Sequence, residues 1–115
     1  PTCHISITTW NTAALFGAHS GKHHVQRNNF DLFRRLAAKA TILCCQEVHG
    51  CRGDLPTLDR EVGSHEHFGS FSASSGTGGV LVSICRRFTT TFPVVSTTSL
   101  PVSYTHLTLP TIYFV

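Results

Sequence analysis

The stretch TILCCQEVHG, Thr41 to Gly50, decides how this chain is read. Its apolar run, Ile42 to Cys45, is followed by the turn signals Gly50 and Gly53, a pattern that predicts a buried strand. The strand stops on Gln46, Glu47 and His49, so an amide, a carboxylate and an imidazole sit where a buried segment emerges into a cleft or into solvent. A carboxylate in that place is either hydrated or bound to a ligand, and the neighbouring chain must discriminate between the two.

Upstream, CHISITTW (Cys3 to Trp10) alternates Ile5 and Ile7 with Ser6 and Thr8 and predicts a strand closed by Asn11. Thr12 to Asn29 holds two glycines and three histidines without sustained period and reads as a loop. NNFDLFRRLAAKA then places Phe30, Phe33, Ala37 and Ala40 on one face, predicting an amphipathic helix capped by Asn28 or Asn29. Strand, helix and strand make a βαβ unit with parallel strands and a right-handed crossover. Both strands then end at one edge, so Asn11 and Gln46-Glu47 share a rim if the strands are neighbours. The carboxyl ends of strands are where open α/β sheets bind ligands.

Downstream, DLPTLDREV offers Asp54 as a helix start, with Leu55, Leu58 and Val62 on one side. EHFGSF and GVLVSI read as a hairpin across the turn-rich Ser72 to Gly79, and TTTFPVVS as one more strand with Pro93 at an edge or bulge. The predicted order is β-α-β-α-β-β-β, an α/β (α+β) class.

A chain of 115 residues, 41% hydrophobic and 13% charged, has room for one core and is globular in composition, not disordered. The net charge of +3 is scattered except at Arg34-Arg35 and Arg86-Arg87, which permits a phosphate-bearing partner without demanding one. Five cysteines are an odd count, and the adjacent Cys44 and Cys45 leave a strand on opposite faces, which suits a reducing, intracellular compartment (cytoplasmic or nuclear) better than a disulfide framework. No apolar run approaches the roughly 18 residues of a membrane span, so no membrane association is expected. The chain begins at Pro1 and contains no Met, from which a missing natural N-terminus is expected.

Three segments resemble the endonuclease/exonuclease/phosphatase superfamily, the DNase I-like fold: ISITTWNTAAL (Ile5 to Leu15), ILCCQEVHG (Ile42 to Gly50) and SGTGGVLVSICRRF (Ser75 to Phe88). QEVHG and the helix before it look most like the endonuclease domains of retrotransposons. The resemblance implies that Asn11 and Glu47 are catalytic, that both hold the metal, Mg²⁺ with Mn²⁺ as a substitute, and that Gln46 braces Glu47. The chemistry implied is hydrolysis of a phosphodiester or phosphomonoester, with DNA as the partner of an intact parent and no protein partner indicated. Residues 1–100 correspond to the N-terminal half of such a domain, an incomplete four-layer sandwich. The family's later Asp-x-Asn and Ser-Asp-His motifs are missing, so this piece is expected to be inactive alone. A lipid or inositol phosphatase of the same superfamily is the alternative, and a non-catalytic fragment or binding module with a basic hairpin is the rival from another class.

Residues 101–115 stand apart. VSYTHLTLPT, Val102 to Thr111, resembles the conceptual translation of a sequencing-library adapter and is expected to be a non-native tail; the competing reading is a β-prone edge segment. Cys44, Cys45, His49 and Cys51 offer soft ligands for zinc but match no paired spacing. His23-His24 and His65-x-His67 are expected at the surface. SSGTGG lacks the Lys-Ser/Thr of a phosphate loop and is a hairpin connection, and RGD at Arg52 to Asp54 is read as coincidence.

Overall fold

The structure, a computed structural model, describes residues 4–16, 23–74, 76–101 and 108–114. It is α+β. Strand β1 (Ile7–Asn11), helix α1 (His23–Lys39), strand β2 (Ile42–Gln46), helix α2 (Leu55–Glu61) and strands β3 (His65–Ser70) and β4 (Val80–Cys85) precede helix α3 (Arg86–Thr91) and strands β5 (Val94–Pro101) and β6 (Thr108–Phe114). The main sheet has the order β1-β2-β4-β3 and is mixed. β1 runs parallel to β2 through the α1 crossover, as the βαβ reading requires, while β4 is antiparallel to both β2 and β3.

The register sorts side chains into two faces. Leu43, Cys45, Leu81 and Ser83 are buried on one face, where α1 lays Phe30, Phe33 and Ala37 with Ala40 just past its end, and α2 lays Leu58 with Val62 at its C-cap. These are the apolar stripes expected of two amphipathic helices. Trp10 and Leu55 are partly buried against the same core. Cys44 faces the other way, as alternation demands. On that second face Val80 and Ile84 are also buried, because the antiparallel β5–β6 ribbon packs over β3 and β4. The ribbon stops short of β1, where Ile7 remains 64% exposed.

Four sequence-based expectations need correction. Helix α1 begins at His23, so the predicted loop to Asn29 is too long and neither Asn28 nor Asn29 is its cap. Asn29 lies inside the helix and spends its side-chain amide on the Ala14 carbonyl at 3.1 Å. The predicted strand TTTFPVVS is split: Thr89 to Thr91 are helical and only Val94 onward is strand. The threonine hydroxyls turn back onto helical carbonyls, Thr90 onto Arg86 at 2.7 Å and Thr91 onto Arg87 at 3.4 Å, and that local bonding overrides their β preference. Pro93 disfavours helical geometry in the residue before it and ends the helix at Phe92. The observed order is therefore β-α-β-α-β-β-α-β-β.

The fourth correction concerns His65 and His67, expected at the surface. His65 is 2% exposed and His67 is largely enclosed. Strand alternation puts both on the helix-bearing face, where helix-end carbonyls need donors. His65 donates from Nε2 to the Ala40 carbonyl (3.1 Å), and its Nδ1 accepts from Ser64 (2.9 Å). His67 donates from Nε2 to the Val62 carbonyl (2.8 Å), accepts from the Ser83 hydroxyl (2.7 Å), and packs its ring 5.9 Å from that of Phe33. Burial pushes the His67 pKa down; the Val62 carbonyl and Asp59 pull the other way, and His65 and Arg86 add to the depression. The side chains of His23 and His24 lie outside the described residues. Part of the suspect tail, Thr108–Phe114, forms β6, and residues 102–107 and 115 lie outside the described residues.

Candidate functional site

β1 and β2 end side by side, with Asn11 in register with Gln46. Beyond the strands the two chains stay laced together: Thr12 N–H donates to the Gln46 carbonyl (2.9 Å), Ala14 N–H to that of Glu47 (2.8 Å) and Phe16 N–H to that of Val48 (3.0 Å). The other side of the β2 extension is backed by the hairpin, since Val48 and His49 donate to the carbonyls of Gly79 (3.2 Å) and Gly78 (2.8 Å). Gly79 sits at φ +87°, and a Cβ there would come within 3.0 Å of Val48. The glycine-rich run is thus a backbone support for the segment that carries Glu47, consistent with a hairpin connection and not with a phosphate loop.

Thr12 ties the two ends together. It is 2% exposed, its hydroxyl lies 2.9 Å from the Glu47 carbonyl, to which it donates, and the same oxygen accepts from Leu15 N–H at 3.1 Å. Leu15 and Phe16 then plug the core, and Phe16 meets the rings of Phe30 and Phe71 at 6.0 and 6.2 Å. This packing holds an unusual backbone. Ala13 (φ +48°), Ala14 (+75°), Glu47 (+54°) and His49 (+58°) all lie in the left-handed region that L-residues avoid. They are the only non-glycine residues of that kind among the described residues, and all four occupy the two adjoining strand ends.

The Glu47 side chain is 43% exposed, and its Oε2 lies 3.3 Å from Nε2 of His49, itself 24% exposed. No hydrogen bond joins Glu47 to Asn11; the Asn11 Oδ1 instead accepts from Ala13 N–H at 3.2 Å. Gln46 does not brace Glu47 either, since its amide donates to the Cys44 carbonyl at 3.3 Å. The contact expected of Gln46 is made by His49, which the sequence marked as part of the polar strand end and as a zinc candidate but not as a partner of Glu47. Thr12 and Asn29, the other supports, carry no signal in the sequence that distinguishes them from ordinary turn and helix polar residues.

The zinc constellation does not assemble, because Cys44 and Cys45 point to opposite faces. Among the described residues no three His, Cys, Asp or Glu side chains are close enough to form a metal cluster by themselves. Cys44, Cys45, Cys51 and Cys85 are free thiols. Burial raises the Cys44 pKa, and burial with the neighbouring Cys44 pushes Cys45 up to about 12, so both are held as neutral thiols in the chain as it stands.

At the same edge of the sheet, Arg52 and Cys51 line a shallow cleft of about 310 Å³ with Gly69 to Ser72. RGD forms a single 3₁₀ turn leading into α2, in which Asp54 accepts from Cys51 N–H at 2.8 Å. The Arg86-Arg87 pair lies at the other end of β4, roughly 17 Å away along the six-residue strand. Arg86 is held there by the Gly63 carbonyl (2.7 Å) and Glu66 (3.4 Å). Those arginines cannot share a phosphate group with Glu47. No described helix is long and apolar enough to cross a membrane.

No protein-family model matches the chain, and no curated protein matches it. The site therefore rests on its own geometry and on the motifs that suggested it.

Proposed function

We propose that the adjoining ends of β1 and β2 form one half of a divalent-metal phosphoesterase site, with a DNA phosphodiester as the favoured substrate. The observation that carries the reading is the cluster of left-handed residues at Ala13, Ala14, Glu47 and His49. Each such residue costs about 1–3 kcal/mol and persists only where its surroundings over-determine it, a pattern that collects at functional sites. Here that cost falls on the segment that presents the carboxylate.

The donor chemistry fits Mg²⁺, or Mn²⁺ in its place. Mg²⁺ takes hard oxygens, commonly one or two carboxylates, and keeps several waters, which a half-exposed Glu47 at an open rim accommodates. When bound, the metal neutralises charge developing on a phosphoryl group. The chain's own residues do the rest of what this half can do. His49 holds Oε2 of Glu47 and leaves Oε1 to the ligand. Asn11, with its Oδ1 already engaged by Ala13, keeps its amide N–H groups to donate to a phosphate oxygen, while one oxygen lone pair is still open to the metal. Arg52 supplies an exposed cation at the same edge. The DNase I-like sandwich belongs to the same proposal, supported by the layering of helices, mixed sheet and β5–β6 ribbon.

Binding is tested without turnover. Mn²⁺ titrated into the labelled chain should broaden the amide resonances of Asn11, Thr12, Glu47 and His49 first. Excess Mg²⁺ should reverse the effect, and Glu47→Gln should abolish it. Broadening that starts at Asp59 or Glu66, or that survives Glu47→Gln, would remove the basis for the metal role.

A further inference from the structure

We propose that the cavity at the opposite end of the sheet binds a small amphipathic anion, an acyl or aryl body bearing one carboxylate or phosphate head. This site is independent of the phosphoesterase reading. The cavity measures about 740 Å³ and opens where the end of α1, the start of β3, the end of β4 and α3 meet. Small-molecule pockets commonly span about 300–1,000 Å³ and combine an apolar lining with a few placed polar groups.

The wall divides by chemistry. Ala37, Ala38, Phe88 and Phe92 provide the apolar part, with the Phe88 and Phe92 rings 5.1 Å apart and Phe92 41% exposed. His4, Lys39 and Arg87 provide basic nitrogen, and no Asp or Glu lines the space. Lys39 and Arg87 make no ion pair among the described residues, whereas the adjacent Arg86 is tied to Glu66.

The carbonyls that end α1 would otherwise favour a cation here. Three carbonyls at and just beyond the helix end are already engaged: that of Lys39 accepts from Ser6 Oγ (3.0 Å), that of Ala40 from His65 (3.1 Å) and that of Ala37 from Ala40 N–H (3.3 Å). With no carboxylate in the wall, the charge it offers a ligand is positive, which suits an anionic head on an apolar body.

Cys85 lines the same cavity and reports on it, and the exposed Cys51 at the other edge serves as an internal control. Alkylation by iodoacetamide, mapped cysteine by cysteine, is followed with decanoate, decyl phosphate, decanol and decyltrimethylammonium as probes. The expected result is saturable protection of Cys85 by decanoate, decyl phosphate or both, with Cys51 unchanged; the stronger of the two anions identifies the preferred head. Decanol should protect more weakly and the ammonium least. Lys39→Ala with Arg87→Ala should weaken the anions roughly tenfold, as expected for losing two exposed charge contacts, and added salt should act in the same direction. Both residues are exposed, so the fold is expected to survive; if it does not, the head-group comparison on the natural chain decides alone. Equal protection by the ammonium, equal protection of Cys51, or anion affinity unchanged in the folded double variant overturns the proposal.

Discussion

Replacing Thr12 with Val keeps the β-branched shape and removes only the hydroxyl, so its cost isolates the bonds that join the two strand ends. The hydroxyl's single proton is shared between the Glu47 carbonyl at 2.9 Å and the Gln46 carbonyl at 3.2 Å, the latter also bonded by Thr12 N–H, and its oxygen accepts from Leu15 N–H at 3.1 Å; both the donation and the acceptance are lost. They are not equal. The Glu47 carbonyl keeps the Ala14 N–H at 2.8 Å, so its loss is that of a spare bond, about 0.5–1 kcal/mol. Leu15 is fully buried and its N–H has no other acceptor among the described bonds, so it bears the larger penalty of an unsatisfied donor, about 1–3 kcal/mol. With partial relief from no longer burying the hydroxyl, the net cost is about 2 kcal/mol. In a domain of this size that lowers Tm by roughly 10 °C. Urea unfolding with an unchanged slope measures the loss, and amide exchange at Leu15 localises it. Thr12→Ser, which keeps the hydroxyl and gives up a methyl, should cost less than Thr12→Val. The reverse ranking would show that methyl packing, not the hydroxyl, holds the strand ends together.

Gly50→Ala should be severely destabilising, by about 2–4 kcal/mol, because φ is +77° and the new Cβ would lie 2.5 Å from Asp54 Oδ2 and 2.7 Å from Phe16 Cβ. Gly53→Ala, whose Cβ meets nothing closer than Cys51 Sγ at 3.6 Å, should shift stability by less than about 0.5 kcal/mol; comparable midpoints for the two variants would contradict the packing at Gly50. The depressed pKa of the enclosed His67 sets a pH dependence. The unfolded chain takes up the proton more readily than the folded one, so this contribution is complete above the ordinary value of 6.5 and is lost as pH falls from there through the lowered folded value. The natural chain should therefore lose more stability than His67→Gln between neutral and mildly acidic pH; parallel pH profiles for the two would rule out His67 as the source.

The parallel βαβ core was legible because it depends on periodicity: Ile42 to Cys45 form a strand and Phe30, Phe33 and Ala37, with Ala40 just past the helix end, form the buried stripe. Asp54 before α2 and the β3–β4 hairpin were legible for similarly local reasons. The error at Thr89 to Thr91 arose where intrinsic preference was outweighed by side-chain bonds to the preceding turn. That at His65 and His67 arose because imidazoles look polar until the helix ends that need their N–H groups are placed. Of the candidate site, the meeting of the strand ends at Asn11 and Gln46 was foreseeable from topology. The contact between His49 and Glu47 was not, because it depends on a left-handed backbone at both residues, which nothing in Glu-Val-His signals.

The placement of β1 has a kinetic consequence. It is the first strand among the described residues yet takes an outer position of the main sheet, and its strand partner there, β2, begins at Ile42. Docking it closes a loop of roughly 30 residues, a greater entropic demand than closing the short β3–β4 turn. Pairing β2 with β4 closes a loop of about the same length, so the β3–β4 hairpin is the local template and the rim that carries Asn11 is completed by two long-range closures. During synthesis, the amide arrives first but waits for its partner strand to be made.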